Sequence, residues 1–417
     1  MNAHTATGAP AIRTTPNSRE RWNLAALPGL KAVVDLFSSL RLTVFLLCLA
    51  LLLVFAGTLA QTTEGLFAAQ NRYFRSLWIW WSPPGVKWSL PVFPGGYLIG
   101  GTLLVNLLAA HAKRFKFTKK KVGIFVVHAG VVLLILGQFA TDLLSKESAM
   151  QLYEGETKNF SEAFRDNELV IIDASDPKID QVYSIPESLL LKRGEIRDAR
   201  LPFSVHLKAH WANAVLVDSP SEGSIPSGAT TGALKDTFVV PRPRVTDTDS
   251  RDAPAALVEL GDHGRSLGSF LLYTLAVPQR FTANGKPYEI ALRFTRHYYP
   301  FSITLLKATH ETYKGRRDIP KNFASRVRVE NPDRNETRET VIYMNNPLRY
   351  AGLTFFQYQM IAGEMAVKAG VRPSSAFQVV HNPSWLTPYL SCAMVASGLI
   401  IQFMSHLIGF AKKRRAA

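Results

Sequence analysis

Apolar and polar positions divide this chain into two regimes. Four stretches carry no Asp, Glu, Lys or Arg: Leu42–Ala60, Val92–Ala112, Val122–Thr141 and a run from about Trp385 to Ala411. Each approaches the ~20 residues that a helix needs to cross ~30 Å of hydrocarbon. Four spans are therefore expected, at residues 42–60, 95–112, 122–143 and 386–410. The second is the most diluted, by Pro94, Gly95, Gly96 and Asn106. Between the third and fourth, over residues 144–385, the period changes from helical to two. ELVIID at 168–173, Val205–Ala209, FSITL at 301–305 and RVRVE at 326–330 alternate or run β-branched, and turns such as Asn284-Gly285 separate them. The pattern predicts an integral membrane protein with four transmembrane helices, three plus one, and a large extracytoplasmic all-β domain of sandwich-like build.

The connecting segments have their own signatures. Residues 1–41 read as a polar tail followed by a short amphipathic lead-in, and residues 61–94 as an outer loop. Within that loop Phe67, Phe74, Leu77, Trp78 and Trp81 fall on one helical face, so Leu66–Trp81 is expected to lie as a helix in the membrane interface. Ser219–Thr246 and Thr246–Pro254 read as surface loops, rich in Ser, Gly and Pro and then acidic. LPFSVHLKA at 201–209 echoes YPFSITLLKA at 299–308, which would make the β region two related halves. Gly123, Gly130 and Gly137 recur every seven residues, where a neighbouring helix can approach closely.

Charge then orients the picture. The chain has 417 residues and a net charge of +16, a value that raises the question of nucleic acid. Residues 1–41, the loop 111–121 and the tail 411–417 together carry 15 basic and two acidic residues, whereas residues 142–385 carry 30 basic against 29 acidic. The excess flanks spans on one side. This positive-inside pattern places both termini in the cytoplasm and the β region outside, in a multi-pass membrane protein. It leaves no basic surface for nucleic acid. The first apolar run is too long for a signal peptide core and follows no small-residue cleavage site, so it is expected to stay as an anchor.

Chemistry is sparse. No nucleophile elbow, phosphate loop or paired metal-ligand spacing occurs, and Cys48 and Cys392 both lie in spans with no Cys-x-x-Cys, which excludes thiol exchange by this chain. Histidine stands out instead. His128 lies seven residues past Lys121, about 10 Å along the third span. An ionisable group at such depth needs a partner. It is either bonded to a neighbouring helix or an axial ligand of heme iron, with Ile124, Phe125, Val131, Val132 and Ile135 as the apolar wall. His406 sits at similar depth in the last span, which admits a bis-imidazole pair with His128 or a ring that snorkels to the interface. His381 lies at the outer mouth of that span as a candidate contact for an outer site. His111 reads as interfacial. His206 and His210 would share one strand face but lack a third ligand.

Several of these pieces together resemble the ResB-type (Ccs-type) cytochrome c biogenesis proteins of the System II heme-attachment machinery. SSLRLTVFLLCLALLLVFAGTLAQ is similar to the family's first span, and KVGIFVVHAGVVLLILG to its third. PFSITLLKATHETYKGRRDIPKNFASRVRV is similar to its β segment, and YMNNPLRYAGLTFFQYQM matches the Asn-x-Pro-Leu-x-Tyr-x-Gly-x-x-Phe-Phe-Gln signature before the last span. The resemblance implies an accessory subunit of a cytochrome c synthase that delivers heme b across the membrane for covalent attachment. Its implied partners are a ResC/CcsA-type membrane protein, apocytochrome c and a thioredoxin-like thiol reductant. His128 would then be the membrane heme ligand, with the opposing ligand on the partner and no catalytic residue required here. Lys113, Lys119 and Lys121 become candidate propionate contacts, or mark topology alone. SLWIWWSPPGVKW lacks the partner's Trp-Asp motif, and His381-Asn382-Pro383 stands where the family often has Asp-Pro. Two other readings compete: a membrane-anchored sensor or scaffold with structural His128, and a b-type electron-transfer protein with heme on His128 and His406.

Overall fold

The computed structural model describes residues 28–83, 85–86, 88–114, 118, 121–248, 250–262, 265–313 and 316–416. The expected N-terminal tail, Lys116, Lys119 and Lys120 lie outside the described residues. The helices are α1 (Pro28–Phe37), α2 (Leu40–Glu64), α3 (Leu66–Ala69), α4 (Gly96–Arg114), α5 (Val122–Leu144), α6 (Glu187–Arg193), α7 (Glu364–Ala369) and α8 (Thr387–Ala416). The chain divides into two compact units. One holds residues 1–56, 72–128 and 398–417; the other holds residues 57–71 and 129–397.

Among the described residues, three helices are long and apolar enough to cross a membrane: α2, α5 and α8, with mean hydropathies of 2.7, 2.3 and 1.6. Their large side chains face outward (Leu51 is 71 % exposed and Phe403 70 %), a surface suited to lipid rather than water. The expected second span is a helix, α4, but is not among the three. Asn106, His111 and Lys113 fall within its 19 residues and lower its apolarity. Asn106 is nonetheless fully enclosed. Its amide nitrogen donates to the carbonyl oxygens of Phe37 (2.6 Å) and Ser39 (3.1 Å), and its oxygen accepts from Thr43 Oγ1 (2.6 Å). These bonds tie α4 to the α1–α2 junction. A buried amide left without them would cost about 1–3 kcal/mol.

The glycines of α5 serve the close approach expected of them. A Cβ at Gly123 would lie 2.6 Å from the Gly398 carbonyl oxygen. One at Gly130 would meet Val395 and Ser391 on α8, and one at Gly137 would lie 2.4 Å from Thr387 Oγ1. At the same end Thr141 Oγ1 meets Ser384 Oγ at 2.7 Å, and Asn382 donates to Thr141 at 3.3 Å.

The segment after α2 departs from the single helix expected over Leu66–Trp81. Helical structure, α then π, ends at Phe74, and Trp78–Trp81 is a strand paired antiparallel with Leu90–Pro94. The aromatic spacing suits both periods. Pairing across the turn satisfies the backbone and turns Ile79 and Phe93 onto Leu53 and Ile99, leaving Trp78, Trp80 and Trp81 exposed.

The region after α5 is β-rich, as the period-two pattern predicts, although α6 and α7 interrupt the all-β expectation. Its largest sheet has ten strands among the described residues. Eight run in the order Glu336–Tyr343, Arg316–Asn331, Lys286–Tyr313, Thr157–Asp173, Lys146–Tyr153, Ser374–His381, Leu353–Ile361 and Leu348–Tyr350, with Gln279–Ala283 and Gln181–Pro186 pairing alongside. A four-stranded sheet contains Ser204–Trp211 and Ala255–Asp262, and a three-stranded one Phe238–Pro241. Asn284 and Gly285, both at positive φ, close a two-residue hairpin between Ala283 and Lys286.

The 28-residue strand Lys286–Tyr313 threads two cores. Tyr288, Ile290 and Leu292 pack with Phe203, Val205 and Phe270 in one; Phe301, Ile303 and Leu305 pack with Val327, Phe355 and Phe377 in the other. The two copies of the sequence echo thus seed separate clusters, Phe203 and Val205 in the first, Phe301 and Ile303 in the second. The loop around Thr246 is anchored rather than merely superficial. Thr246 O accepts the backbone N–H of Phe67 (3.0 Å) and Ala68 (3.3 Å), Arg165 holds the Val245 and Asp247 carbonyls, and Arg251 lies between the rings of Phe164 and Phe294.

Because Gly123 meets backbone rather than a movable side chain, Gly123→Ala is expected to cost about 1–3 kcal/mol. A lowered thermal unfolding temperature of the purified protein in detergent is the check, with Gly409→Ala, which has open space, unchanged.

Candidate functional site

His128 is the seventh residue of α5, on a helix whose only other polar side chains come in its last two turns. The structure sets it against His111 of α4. The rings meet edge to face with centroids 4.6 Å apart and planes at 73°. His111 Nδ1 lies 3.0 Å from the Leu107 carbonyl oxygen one turn earlier. His128 Nδ1 is buried and completes no well-formed hydrogen bond among the described residues, the ring meeting the backbone of Ile124 one turn earlier. So the residue expected to be interfacial, His111, turns inward, and this pairing was missed in the sequence. Its signal was only that both rings lie close to the same basic loop, one at the end of a span and one near the start of the next.

Opposing ligands on one metal ion stand about 4 Å apart, nitrogen to nitrogen, with the ion between them. Rings in direct contact leave no space for a porphyrin plane, so His111 and His128 are not opposing ligands of one iron in this arrangement. One imidazole can ligate while its neighbour fixes the orientation of the ring.

The remaining candidates lie apart. His406 is exposed on α8, and its Nε2 lies 2.7 Å from Gln402 Nε2 one turn earlier; no contact joins it to His128. His381 is exposed at the end of its strand, opposite Lys146. Lys113 pairs with Asp35, and Lys121 is exposed at the foot of α5. Among the described residues no group of three or more His, Cys, Asp or Glu is arranged to hold a metal ion.

His206 and His210 do not share a face. The pairing skips Lys208: Leu207 lies opposite Val258 and Ala209 opposite Leu257. This one-residue bulge turns the two imidazoles to opposite sides. His206 bonds Ser204 Oγ at 3.0 Å with Glu195 3.5 Å away, and His210 Nε2 bonds Glu187 Oε1 at 2.7 Å. Glu187 also accepts from Asn167 at 3.1 Å. Burial alone would raise the Glu187 carboxyl, but the hydrogen bonds from His210 and Asn167, with the charges of His210 and Arg244, outweigh it and hold the group below its ordinary 4.5.

The signature before the last span is structural. Leu348, Tyr350 and Phe355 are buried in the second core. Asn331 Nδ2 donates to the Tyr350 hydroxyl (3.0 Å), which donates to Glu336 Oε2 (2.7 Å). Gly352, at φ +78°, turns the hairpin after Ala351 at +49°. Gln357 accepts from Ser325 (2.7 Å) and donates to Ser375 (2.8 Å). Leu348, Tyr350, Phe355 and Gln357 are thus engaged within the sheet, whereas Asn346 and Phe356 of the same signature are exposed.

The ResB-like family model matches residues 279–372. That match supports a ResB-type cytochrome c biogenesis protein. It covers most of the second core, though not Met150, Leu152, Phe377 or Val379, and the Asn346–Gln357 signature, but none of the helices expected to cross the membrane. No curated protein matches the chain. The matched residues lie within the β-rich region, and three of the described helices elsewhere are long and apolar enough to cross a membrane.

The Glu187 cluster carries a pH signature. A carboxyl held low in the folded state adds stability that is complete above its unfolded value and is lost as pH falls through the lowered folded value. Acidification below 4.5 is therefore expected to lower the urea midpoint of the wild-type chain more steeply than that of Glu187→Gln.

Proposed function

We propose that this chain is the ResB-like subunit of a membrane cytochrome c synthase, and that His128 holds heme iron during transfer toward the β-rich side. The observation that carries this reading is the His128 imidazole itself: an ionisable ring in an otherwise apolar stretch, set edge to face against a second imidazole. A neutral imidazole has the donor chemistry for heme iron. The opposing ligand is assigned to a ResC/CcsA-type partner.

In this reading α4 joins α2, α5 and α8 as a fourth span, because Asn106 is satisfied within the protein and need not be solvated. The basic segments then place both termini in the cytoplasm and the sandwich-like β domain outside. Ile124, Phe125 and Val131, neighbours of His128 in α5, would supply an apolar wall for the porphyrin. Apocytochrome c, kept reduced by a thioredoxin-like reductant, supplies the two thiols that add to the heme vinyl groups, so this chain binds and presents without a nucleophile of its own. His381 and His406, both exposed, are available to cargo or partner.

Co-purification with a ResC/CcsA-type partner and a visible spectrum test the reading. Heme absorbance is expected with the partner, reduced at least about tenfold by His128→Ala and retained in His406→Ala. Heme retained undiminished in His128→Ala overturns the proposal. Heme held by the lone chain and lost in His406→Ala would instead make it a b-type electron-transfer protein.

A further inference from the structure

The signature hairpin turns a charged side chain out of its packing. Arg349 sits between buried Leu348 and Tyr350, and alternation along the strand turns it outward. Its guanidinium lies over the Trp385 ring, 4.5 Å from the centroid. Among the described residues no carboxylate lies within ion-pair distance of it, unlike Arg293, Arg328 and Arg338 in the same sheet. Arg349, the Ala351-Gly352 turn, Thr354, Asn382 and Trp385 line a pocket of about 250 Å³.

The pocket's position limits what it meets. Trp385 stands two residues before α8, packs edge to face on Tyr389 in the first turn (centroids 6.2 Å apart) and is followed by exposed Leu386 and Leu390. A Trp–Tyr pair at the mouth of an apolar helix marks the headgroup level of a bilayer. An unpaired guanidinium at that depth meets phosphate, which its planar fork binds through two parallel hydrogen bonds. Stacking on Trp385 restricts the fork, so less order is lost on binding. The Asn382 amide is held by Thr141 and by the Ser384 backbone N–H, which fixes the pocket's far wall.

We propose that Arg349, stacked on Trp385, binds the phosphate of an anionic phospholipid at the first turn of α8. The bound lipid ties the second core, through the Ala351-Gly352 hairpin, to the membrane surface. The site is separate from His128 and does not depend on the heme reading.

Native mass spectrometry of the delipidated full chain, titrated with phosphatidylglycerol, tests this. The wild-type chain is expected to take up one tightly held lipid, with affinity weakened about tenfold in Arg349→Gln. Arg349→Lys, which keeps the charge but not the fork, should recover only part of that loss, and near-ultraviolet circular dichroism identifies any variant that has lost its fold. Phosphatidylcholine binding equally well in the wild-type chain and in Arg349→Gln, or phosphatidylglycerol binding unchanged in Arg349→Gln, overturns the proposal. So does displacement of the lipid by millimolar inorganic phosphate, which would make the site one for a free anion.

Discussion

A polar side chain within an apolar helix persists only where the protein itself supplies its partner, and that constraint organises the helical part of this molecule. Water cannot relieve the unmet donor or acceptor, so each such group either binds another helix or marks a place where something else binds. Asn106 takes the first course, gathering two carbonyls and a hydroxyl from the α1–α2 junction. Thr141, Ser384 and Asn382 do the same where α5 meets the approach to α8. His128 departs from the first course. Its neighbour is another imidazole, and its buried Nδ1 completes no well-formed hydrogen bond among the described residues.

The same reasoning separates folding from function in the β region. A signature dense in Asn, Tyr, Phe and Gln looks like a binding motif, yet Tyr350, Phe355 and Gln357 are engaged inside the sheet. The Tyr350 hydroxyl donates a hydrogen bond to Glu336, and Gln357 bridges Ser325 and Ser375. In this chain the signature largely meets the demand of packing a second core around the far half of one 28-residue strand. Arg349 projects out of that packing, which is why its placement over Trp385 invites a functional reading.

Charge plays a different part in each region. In the β region, acids and bases pair: His210 with Glu187, Arg293 with Glu168, Lys208 with Glu259. Such pairing leaves little net field, in keeping with 30 basic against 29 acidic residues over 142–385. The unbalanced bases flank the apolar helices, where they bear on orientation rather than stability.

Composition and periodicity alone determined the apolar helices, the β texture, the Asn284-Gly285 hairpin and the glycine face of α5, because each depends on neighbours within one turn or one strand. They also singled out His128 as anomalous. Tertiary structure decided everything that depends on which distant residue arrives beside another. His111 faces His128 because α4 and α5 are adjacent. His206 and His210 part company because a bulge at Lys208, invisible in HLKAH, shifts the register by one. Leu66–Trp81 breaks into helix and strand because Leu90–Pro94 is there to pair with it. Long-range contacts leave no period in the chain, and they are what turns a rare residue into a site.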